Sequence, residues 1–382
     1  MTHIAICSDG IFPAEVGGMQ RHTDLLVRSL AETHPELAIS VLHTHPGKQL
    51  FADLPSVNEI PIAPRPDERQ YLLECYDLSG RMADALRGLP DAVIYAQGLT
   101  VWKNASDFTP RLINNPHGLE SFQAISLKDK LIGFPFRHAF RHIWRRSRHV
   151  VSLGGRLTTI LQRHVPEPGR RIVVLPNGVR LPAEPCRRRT EQPSTCSLLF
   201  VGRFAANKGI KDLLAAMSLL TAEGLGDRFS LHLVGTGPLY DELRGGNRLP
   251  NVIFHGGVND ADLHRLYCES DLFVLPTLFE GMPTVVLEAM ARELPIIVTD
   301  VGATRELVDD RNGCIIPTRS PRDLADALKR FAALPSTTRA ALGAASLQKV
   351  LERFTWDQVA EAHHAVFIRL AKELAGRIRP NT

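Results

Sequence analysis

The sequence predicts an α/β protein made of two doubly wound domains, each a parallel sheet covered by helices. Short β-branched runs alternate with amphipathic helical patterns from one end of the chain to the other. The alternation stops at a proline-containing stretch with three consecutive arginines and then begins again. The chain has 382 residues, which suits two domains of roughly 170 residues better than one core.

The two halves repeat the same order of elements. Candidate strands of the first half are His3–Cys7, Ala38–Thr44, Ala92–Ala96, Arg111–Asn114, Val150–Leu153 and Arg171–Leu175. Those of the second half are Ser197–Val201, Phe229–Val234, Val252–His255, Leu272–Leu275 and Ile296–Thr299. Helical spacing of apolar residues predicts helices between the strands, for example Met19–Thr33 and Asp67–Arg87.

Domain boundaries follow from this pattern. We predict a first domain over residues 1–182, a linker over 183–195, a second domain over 196–354 and a C-terminal helix over 355–382. We expect that helix to pack back on the first domain. Two doubly wound domains joined by a linker imply a cleft between them, where ligands of such folds bind.

The composition is that of a soluble globular protein, with 44% hydrophobic and 23% charged residues. A net charge of +4 does not indicate a nucleic-acid partner, and we expect none. Six scattered cysteines without a C-x-x-C motif predict reduced thiols in a cytosolic protein. The absence of a signal-like start and of an apolar run of about 18 residues predicts a cytoplasmic protein, with peripheral membrane association left open.

Two carboxylates eight residues apart, Glu280 and Glu288, form the most specific pattern. They lie in a segment, 276–291, that follows an apolar strand and opens a helix. Along a continuous helix, eight residues span about 12 Å, which matches the reach from a hexose to a ribose across a diphosphate. One carboxylate could bind sugar hydroxyls and the other nucleoside hydroxyls. The alternative is that Glu280 only stabilises the start of the helix and that Glu288 is a solvated helix residue. Neither would then bind a ligand.

The start of the same helix favours a phosphate group, because unpaired N–H groups of a first turn attract an anion. The residues at this position are Met282, Thr284 and Val285, and Pro283 suits a helix start.

Two cations follow the first strand of the second half. Arg203 and Lys208 lie beside Gly202 and Gly209, between a strand and a helix. The planar fork of arginine and the point charge of lysine both suit the oxygens of a leaving diphosphate. The alternative is that both are exposed surface cations.

Further turns that contain glycine are weaker evidence for a ligand site when each is taken alone. Gly235 and Gly237 form a tight turn after the next strand, as in many such connections. Gly17 and Gly18 precede the first helix and permit close approach of a ligand to the backbone. They do not form G-x-G-x-x-G, which argues against a dinucleotide cofactor.

Taken in order, these motifs resemble the family 4 retaining glycosyltransferases of GT-B fold. The matching motifs are Gly17-Gly18, His117-Gly118, Asn177-Gly178-Val179, Gly202-Arg203, Lys208-Gly209, Gly235-x-Gly237-Pro238, Glu280-x7-Glu288, and Gly302 with Glu306. The resemblance covers almost the whole chain. It implies two Rossmann-like domains that face each other across a cleft.

The resemblance also implies how a nucleotide-sugar donor is held. Arg203 and Lys208 would bind the diphosphate, Glu280 the donor sugar and Glu288 the ribose. The donor-binding set is Gly18, Arg203, Lys208, Gly235, Gly237, Glu280, Gly281, Met282, Pro283, Thr284 and Glu288.

On the acceptor side, the resemblance implies that Gly17 and Gly18 line the cleft and that His117 lies beside the reacting carbon. Without it, His117 is better explained as a histidine in a turn at a strand end. The implied catalytic set is His117, Arg203, Lys208 and Glu280.

The implied reaction is metal-independent, cofactor-independent and retaining transfer of a hexose-type sugar to a hydroxyl of a glycan or lipid-linked acceptor, in polysaccharide or lipopolysaccharide biosynthesis. Pro283 departs from the glycine of many family members, and proline has no amide to donate to the sugar. We therefore favour a UDP-sugar over GDP-mannose without transferring donor identity. The alternatives are a nucleotide-sugar 2-epimerase of the same architecture and a non-catalytic nucleotide-sugar-binding protein.

Two short patterns could suggest a metal. Asp260-Ala-Asp262 resembles the D-x-D of metal-dependent transferases, but its place before an apolar helical run predicts a role at a helix start. His43-x-His45 has no third ligand in the sequence pattern, so we predict no metal there.

A basic stretch, Phe134–His149, predicts an amphipathic helix. Its apolar residues at helical spacing are Phe136, Phe140, Ile143 and Trp144, opposite Arg137, Arg141, Arg145 and Arg148. We favour a helix that packs on its own domain. The alternative is a patch that contacts an anionic membrane surface or a lipid-linked acceptor.

Overall fold

The computed structural model describes residues 1–15, 17–63, 71–123, 127–186 and 195–378. The chain divides into two compact units, Met1–Gly178 with Trp356–Thr382, and Val179–Thr355. Each unit is a parallel sheet with helices, so the predicted α/β class is confirmed.

The first unit is organised around one parallel sheet. Its strands among the described residues are β1 His3–Cys7, β2 Ala38–His43, β3 Val57–Pro61, β4 Val93–Gln97, β5 Leu112–Asn115, β6 His149–Ser152 and β7 Ile172–Val174. They lie in the order β3-β2-β1-β4-β5-β6-β7, all parallel. The direction of winding reverses between β1 and β4, which is where doubly wound sheets bind ligands.

The helices of the first unit cover both faces of this sheet. They are α1 Gly18–Thr33, α2 Tyr71–Arg87, α3 Glu120–Gln123, α4 Leu127–Ile132, α5 Phe134–Arg146, α6 Gly155–His164 and α7 Pro168–Arg171, with a 3-10 helix at Ala105–Arg111. Alternate residues of β1 point to opposite faces. Ile4 and Ile6 pack in one apolar cluster, and Ala5 and Cys7 in another.

The second unit repeats the plan. Its strands are β8 Cys196–Val201, β9 Phe229–Val234, β10 Val252–Gly256, β11 Leu272–Leu275, β12 Ile296–Thr299 and β13 Gly313–Ile316. Its helices are α8 Ile210–Ala222, α9 Tyr240–Gly246, α10 Asp260–Glu269, α11 Thr284–Met290, α12 Thr304–Leu307, α13 Pro321–Ala332 and α14 Ser336–Arg353, with 3-10 helices at Ala206–Lys208 and Gly226–Arg228. The strand order β10-β9-β8-β11-β12-β13 reverses between β8 and β11.

The last helix, α15, spans Trp356–Ile378 and belongs to the first unit. Val359, Phe367 and Leu370 are buried in the apolar cluster that contains Ile4 and Ile6 of β1. The hydroxyl of Ser29 on α1 also donates a hydrogen bond to the Trp356 carbonyl at 3.1 Å. Contacts distant in sequence therefore hold this helix on the sheet.

One expectation about the cysteines is wrong. Cys186 and Cys268 form a disulfide with their Cα atoms 5.1 Å apart, within the distance that such a bond spans. The two residues are 82 positions apart, so their spacing gave no signal of pairing. The other four cysteines are free thiols.

Among the described residues, every helix is too short or too polar to cross a bilayer. The predicted linker lies partly outside the described residues, as do the first residues of the helix predicted over Asp67–Arg87.

Candidate functional site

The reversal point of the second sheet brings the predicted cations and one carboxylate onto adjacent loops. Arg203 and Lys208 follow β8, and Glu280 follows β11. Because β8 and β11 are neighbours whose connections run to opposite faces, their loops border a crevice at the carboxyl edge of the sheet.

Lys208 and Glu280 form an ion pair between Nζ and Oε1. The Lys208 side chain is 22% exposed and that of Glu280 is 14% exposed. The Thr277 hydroxyl oxygen lies 3.3 Å from the same carboxylate oxygen. Arg203 is exposed and has no ion pair among the described residues. One cation is therefore already positioned by a carboxylate, while the other remains available to an anion.

Hydrogen bonds tie the two loops together. The Thr277 hydroxyl donates to the Asn207 carbonyl at 2.8 Å, and the Leu278 amide donates to the same oxygen at 2.7 Å. Asn207 immediately precedes Lys208, so these bonds hold the lysine in register with the loop that carries Glu280.

Gly302, after β12, lets a third loop approach the Glu280 segment. Its φ is +51°, and a Cβ there would lie 2.3 Å from the carbonyl oxygens of Glu280 and Gly281. The Ala303 amide donates to the Gly281 carbonyl at 2.8 Å. Only glycine fits both the backbone conformation and the available space.

Gly235 and Gly237 have a similar structural explanation. A Cβ on Gly235 would lie 2.0 Å from the Gly202 carbonyl oxygen, and one on Gly237 would lie 2.7 Å from that of Phe204. The turn after β9 therefore packs against the turn that carries Arg203. Both glycines therefore allow this turn to pack closely against the backbone on either side of Arg203.

The helix with the second carboxylate is shorter than predicted. α11 begins at Thr284 with Pro283 at its N-cap, which confirms the helix start but leaves Glu280 in the preceding loop. The 12 Å estimate for a continuous helix is therefore wrong, because only the residues from Thr284 onward are helical.

Glu288 on α11 is held by a neighbouring helix. The Tyr267 hydroxyl of α10 donates to Glu288 Oε2 at 3.1 Å. Burial, together with the Glu288 charge, raises the pKa of Tyr267 well above its ordinary value. The phenol therefore stays protonated and continues to donate.

In the first unit, a cavity of about 250 Å³ opens at the reversal between β1 and β4. Its lining includes Asp9, Met19, Gly98, Thr100, His117, Gly118, Phe136 and Phe140. His117 is the predicted acceptor-side residue among them, so this cavity is the candidate acceptor site of the first unit.

His117 lies in a strained turn after β5, with φ of +56°. Its Nε2 is 2.8 Å from Gln97 Oε1, while Gln97 Nε2 donates to the Thr23 hydroxyl at 2.6 Å. Burial, with a smaller effect of His363, lowers the pKa of His117 to about 4. The neutral ring therefore donates from Nε2 to Gln97 and keeps Nδ1 as a hydrogen-bond acceptor.

Two further histidines, which we did not predict as site residues, surround His117. The His22 ring lies 5.2 Å from that of His117 and 5.9 Å from that of His363. Burial lowers the pKa of His22 well below its ordinary value and that of His363 to about 4. The Tyr95 hydroxyl oxygen lies 3.1 Å from His363 Nε2, and the two form a hydrogen bond. We call His22, His117 and His363 the histidine cluster.

The two glycines before α1 differ in their surroundings. A Cβ on Gly17 would collide with the Gln20 side chain, whereas one on Gly18 would meet no atom within 4 Å. The absence of a side chain at Gly18 therefore leaves open space next to the first residue of α1.

The patterns that could suggest a metal have other partners. His43 pairs with Glu59 at 3.1 Å, and His45 Nε2 accepts the Ile11 amide at 3.1 Å. Asp262 lies in the first turn of α10, where its amide is capped by Asn259 at 2.8 Å, as predicted for a helix start.

Two groups among the described residues have ligand-type atoms close enough to hold an ion. One combines the disulfide sulfurs with His264; the other is His34, Glu361 and His364, where α1 ends against α15. Neither group includes a predicted site residue.

The basic helix packs on its own unit, as favoured. Ile143 and Trp144 are buried, and Trp144 Nε1 donates to Asn114 Oδ1 at 3.1 Å. Phe136 and Phe140 line the cavity beside His117. The predicted segment ends inside β6, since His149 is a strand residue.

The fold of the whole chain is that of GT-B glycosyltransferases. Sucrose-phosphate synthase from Thermosynechococcus elongatus superposes with a TM-score of 0.78 at 19% identity, over 97% of this chain and 99% of that one. HepE from Anabaena, solved in complex with UDP, gives a TM-score of 0.67 at 15% identity, over 98% of this chain and 100% of that one. At such identities the likeness establishes the fold alone.

Sequence profiles identify the family. Residues 16–181 match the family described as Glycosyltransferase Family 4, and residues 195–333 match Glycosyl transferases group 1. The chain therefore belongs to the glycosyltransferases of this type. The putative teichuronic acid biosynthesis glycosyltransferase TuaC of Bacillus subtilis is 35% identical over 167 residues, which is 41% of this chain and 41% of that protein. The chain spans less than half the length of such curated relatives.

Proposed function

We propose that this protein is a retaining glycosyltransferase that moves a hexose-type sugar from a nucleotide-diphosphate donor, with a UDP-sugar favoured over GDP-mannose. The observation that carries this proposal is the Lys208–Glu280 ion pair beside exposed Arg203 at the reversal point of the second sheet. The UDP bound to the structural neighbour HepE supports the choice of base. The acceptor is a hydroxyl of a glycan or lipid-linked saccharide, in keeping with the teichuronic acid role ascribed to TuaC.

In the proposed donor complex, Arg203 and Lys208 bind the diphosphate, because two cations balance most of its charge. Glu280 binds hydroxyls of the sugar while it keeps Lys208 in place. Glu288, already oriented by Tyr267, accepts hydrogen bonds from the ribose. The open space at Gly18 admits the transferred group.

The proposed reaction breaks the bond between the sugar anomeric carbon and the diphosphate oxygen. Positive charge develops on the sugar ring and negative charge on the diphosphate, which the two cations stabilise most strongly in the transition state. The acceptor hydroxyl attacks from the face that the leaving group vacates and passes its proton to a phosphate oxygen. Neutral His117 accepts a hydrogen bond from a sugar hydroxyl through Nδ1.

The direct test combines binding with turnover. UDP-sugars, GDP-mannose and ADP-glucose are screened for a rise in melting temperature, and the best donor is incubated with glycan or lipid-linked acceptors. We expect stabilisation by UDP-sugars, and the Arg203→Ala variant should lose it. Lys211→Ala is the matched control, because Lys211 is an exposed cation on α8 that pairs with Glu242 at 2.8 Å.

Other results identify the alternatives. Product formed from the donor without any acceptor would indicate a nucleotide-sugar 2-epimerase. Nucleotide binding without turnover on any acceptor would indicate a binding protein, and the absence of all nucleotide binding would refute the proposal.

We propose that the enzyme works in the cytoplasm and contacts an anionic membrane surface. The supporting residues are four exposed apolar side chains on and beside α4: Leu127, Leu131, Ile132 and Phe134. Exposed Lys128 and Lys130 lie among them with exposed Asp129 between, so the surface carries a net positive charge, and such a mixture favours anionic lipid. The surface thus lies mainly before the predicted basic stretch.

Flotation with liposomes tests this association. Binding should require anionic lipid and should weaken in Leu131→Glu. Leu351→Glu is the control, because Leu351 is an exposed apolar residue of α14. Equal flotation of both variants, or none of the wild type, would contradict a role for this surface.

A further inference from the structure

The Cys186–Cys268 disulfide lies beside the candidate nucleotide site of the second unit. Cys186 lies in the segment that precedes β8, and Cys268 is the penultimate residue of α10. Both are partly exposed, so small thiols can reach them. Disulfides are rare in the cytoplasm unless they are transient or regulatory.

Two neighbours of Cys268 determine what its sulfur can do. His264 Nε2 lies 3.4 Å from Cys268 Sγ, and Arg292 Nε donates to His264 Nδ1 at 3.2 Å. Arginine only donates, so Nδ1 of a neutral His264 must be the acceptor and Nε2 must carry the proton. That N–H points at the sulfur. It also leaves Nε2 without a lone pair for a metal, which argues against an ion held by this group.

The same arginine reaches the candidate site. Arg292 Nη1 donates to the Glu288 carbonyl at 3.0 Å, and its guanidinium lies 4.9 Å from the Tyr267 ring centre. Tyr267 precedes Cys268 and donates to the Glu288 carboxylate. A continuous set of contacts therefore runs from the sulfur to the carboxylate that we assign to the ribose.

We propose that Cys186 and Cys268 form a reversible redox site that controls how firmly Glu288 is held, and with it the affinity for the nucleotide. The link to nucleotide affinity rests on the proposed function; the redox site does not. Its co-reactants are a low-molecular-weight thiol and the corresponding disulfide.

Reduction of the Cys186–Cys268 disulfide takes two thiol–disulfide exchange steps. A thiolate attacks Cys186 Sγ, the S–S bond breaks, and Cys268 leaves as a thiolate that accepts the His264 Nε2–H hydrogen bond. A second thiolate then attacks the mixed disulfide, releasing the Cys186 thiolate and a small disulfide. Two small thiols are oxidised and the protein disulfide is reduced to two thiols. An excess of the small disulfide drives the reverse reaction.

The disulfide ties the end of α10, and so Tyr267, to the segment that contains Cys186. Releasing that tie frees the support of Glu288, so the reduced protein should bind nucleotide more weakly, by about 3–10-fold. Closing a loop of this length should also raise the melting temperature of the second unit by roughly 5–10 °C.

The experiment uses the full chain treated with oxidised or with reduced glutathione. Free thiols are counted after denaturation, melting is followed by calorimetry, and the affinity for UDP is measured by titration calorimetry. We expect two fewer thiols, a higher melting temperature and tighter UDP binding in the oxidised protein. In Cys186→Ser and Cys268→Ser all three differences should vanish. Cys314→Ser, which removes a free thiol of β13, should retain them.

Distinct results overturn each part. A thiol count that does not fall with oxidised glutathione, or a disulfide that millimolar thiol cannot reduce in the folded protein, would refute the redox site. Equal UDP affinity of both forms would refute the coupling. If neither form binds UDP, the proposed function fails, while the thiol count and melting temperature still decide the redox site.

Discussion

At the scale of single residues, the ion pair formed by Lys208 and Glu280 is the centre of the proposed diphosphate site. Both side chains are largely withdrawn from water, where a charge without a partner is costly. Glu280 holds the Lys208 ammonium in position before a ligand arrives. A diphosphate can then share the lysine with little rearrangement, and preorganised charge of this kind lowers a barrier more than a mobile cation does.

Replacing Lys208 by alanine should therefore lower kcat by about 10²–10³-fold, the range found when one donor to developing negative charge is removed. Release of the nucleoside diphosphate during sugar transfer gives the rate. Lys211→Ala should remain near the wild-type rate, and the melting temperature of each variant separates lost chemistry from lost folding. Near-normal turnover by Lys208→Ala would refute the assignment of Lys208.

At the scale of elements, the interior strands of each sheet and one edge strand of each, β7 and β10, could be predicted from sequence, and the other edge strand of each could not. Buried strands such as β9 and β11 are short apolar runs, and their predicted bounds match the structure. β3 and β13 were missed. Both are edge strands; β3 is partly polar and ends in Pro61, and β13 begins with Gly313. Edge strands need no continuous apolar pattern, because one side of each is unpaired.

Gly18, at the start of α1, borders open space. A side chain at Gly18 meets nothing within the protein, so Gly18→Val should leave the melting temperature within about 2 °C of wild type. If the transferred sugar occupies that space, kcat/KM should fall at least about tenfold. Gly245→Val is the control, because Gly245 on α9 has equally open surroundings. A fully active Gly18→Val enzyme would exclude Gly18 from the sugar site.

At the scale of the whole molecule, the residues that sequence patterns missed are those that meet only after folding. The two missed histidines are His22 on α1 and His363 on α15. No spacing along the chain marks either of them as a neighbour of His117, which its own motif had singled out. The motif residues could be found because each is tied to a local turn or helix start. Long-range clusters leave no such local pattern.

The histidine cluster should make the stability of the first unit depend on pH. Unfolded histidines bind a proton near pH 6.5, whereas the pKa values of His117 and His363 in the fold are about 4. Below pH 6.5 the unfolded chain therefore binds more protons than the folded one. The stabilisation from the neutral rings is complete above pH 6.5 and is lost as the pH falls towards 4, by roughly 3 kcal/mol for each histidine.

Urea unfolding between pH 7.5 and pH 4 measures this effect. The three tryptophans, Trp102, Trp144 and Trp356, all lie in the first unit, so their fluorescence reports on that unit alone. Replacing His363 by glutamine should reduce the loss of unfolding free energy over this range, because one of the titrating groups is gone. His138→Gln, an exposed change on α5, should retain the wild-type slope. The same pH dependence in wild type and His363→Gln would show that His363 binds its proton equally well in the folded and unfolded protein.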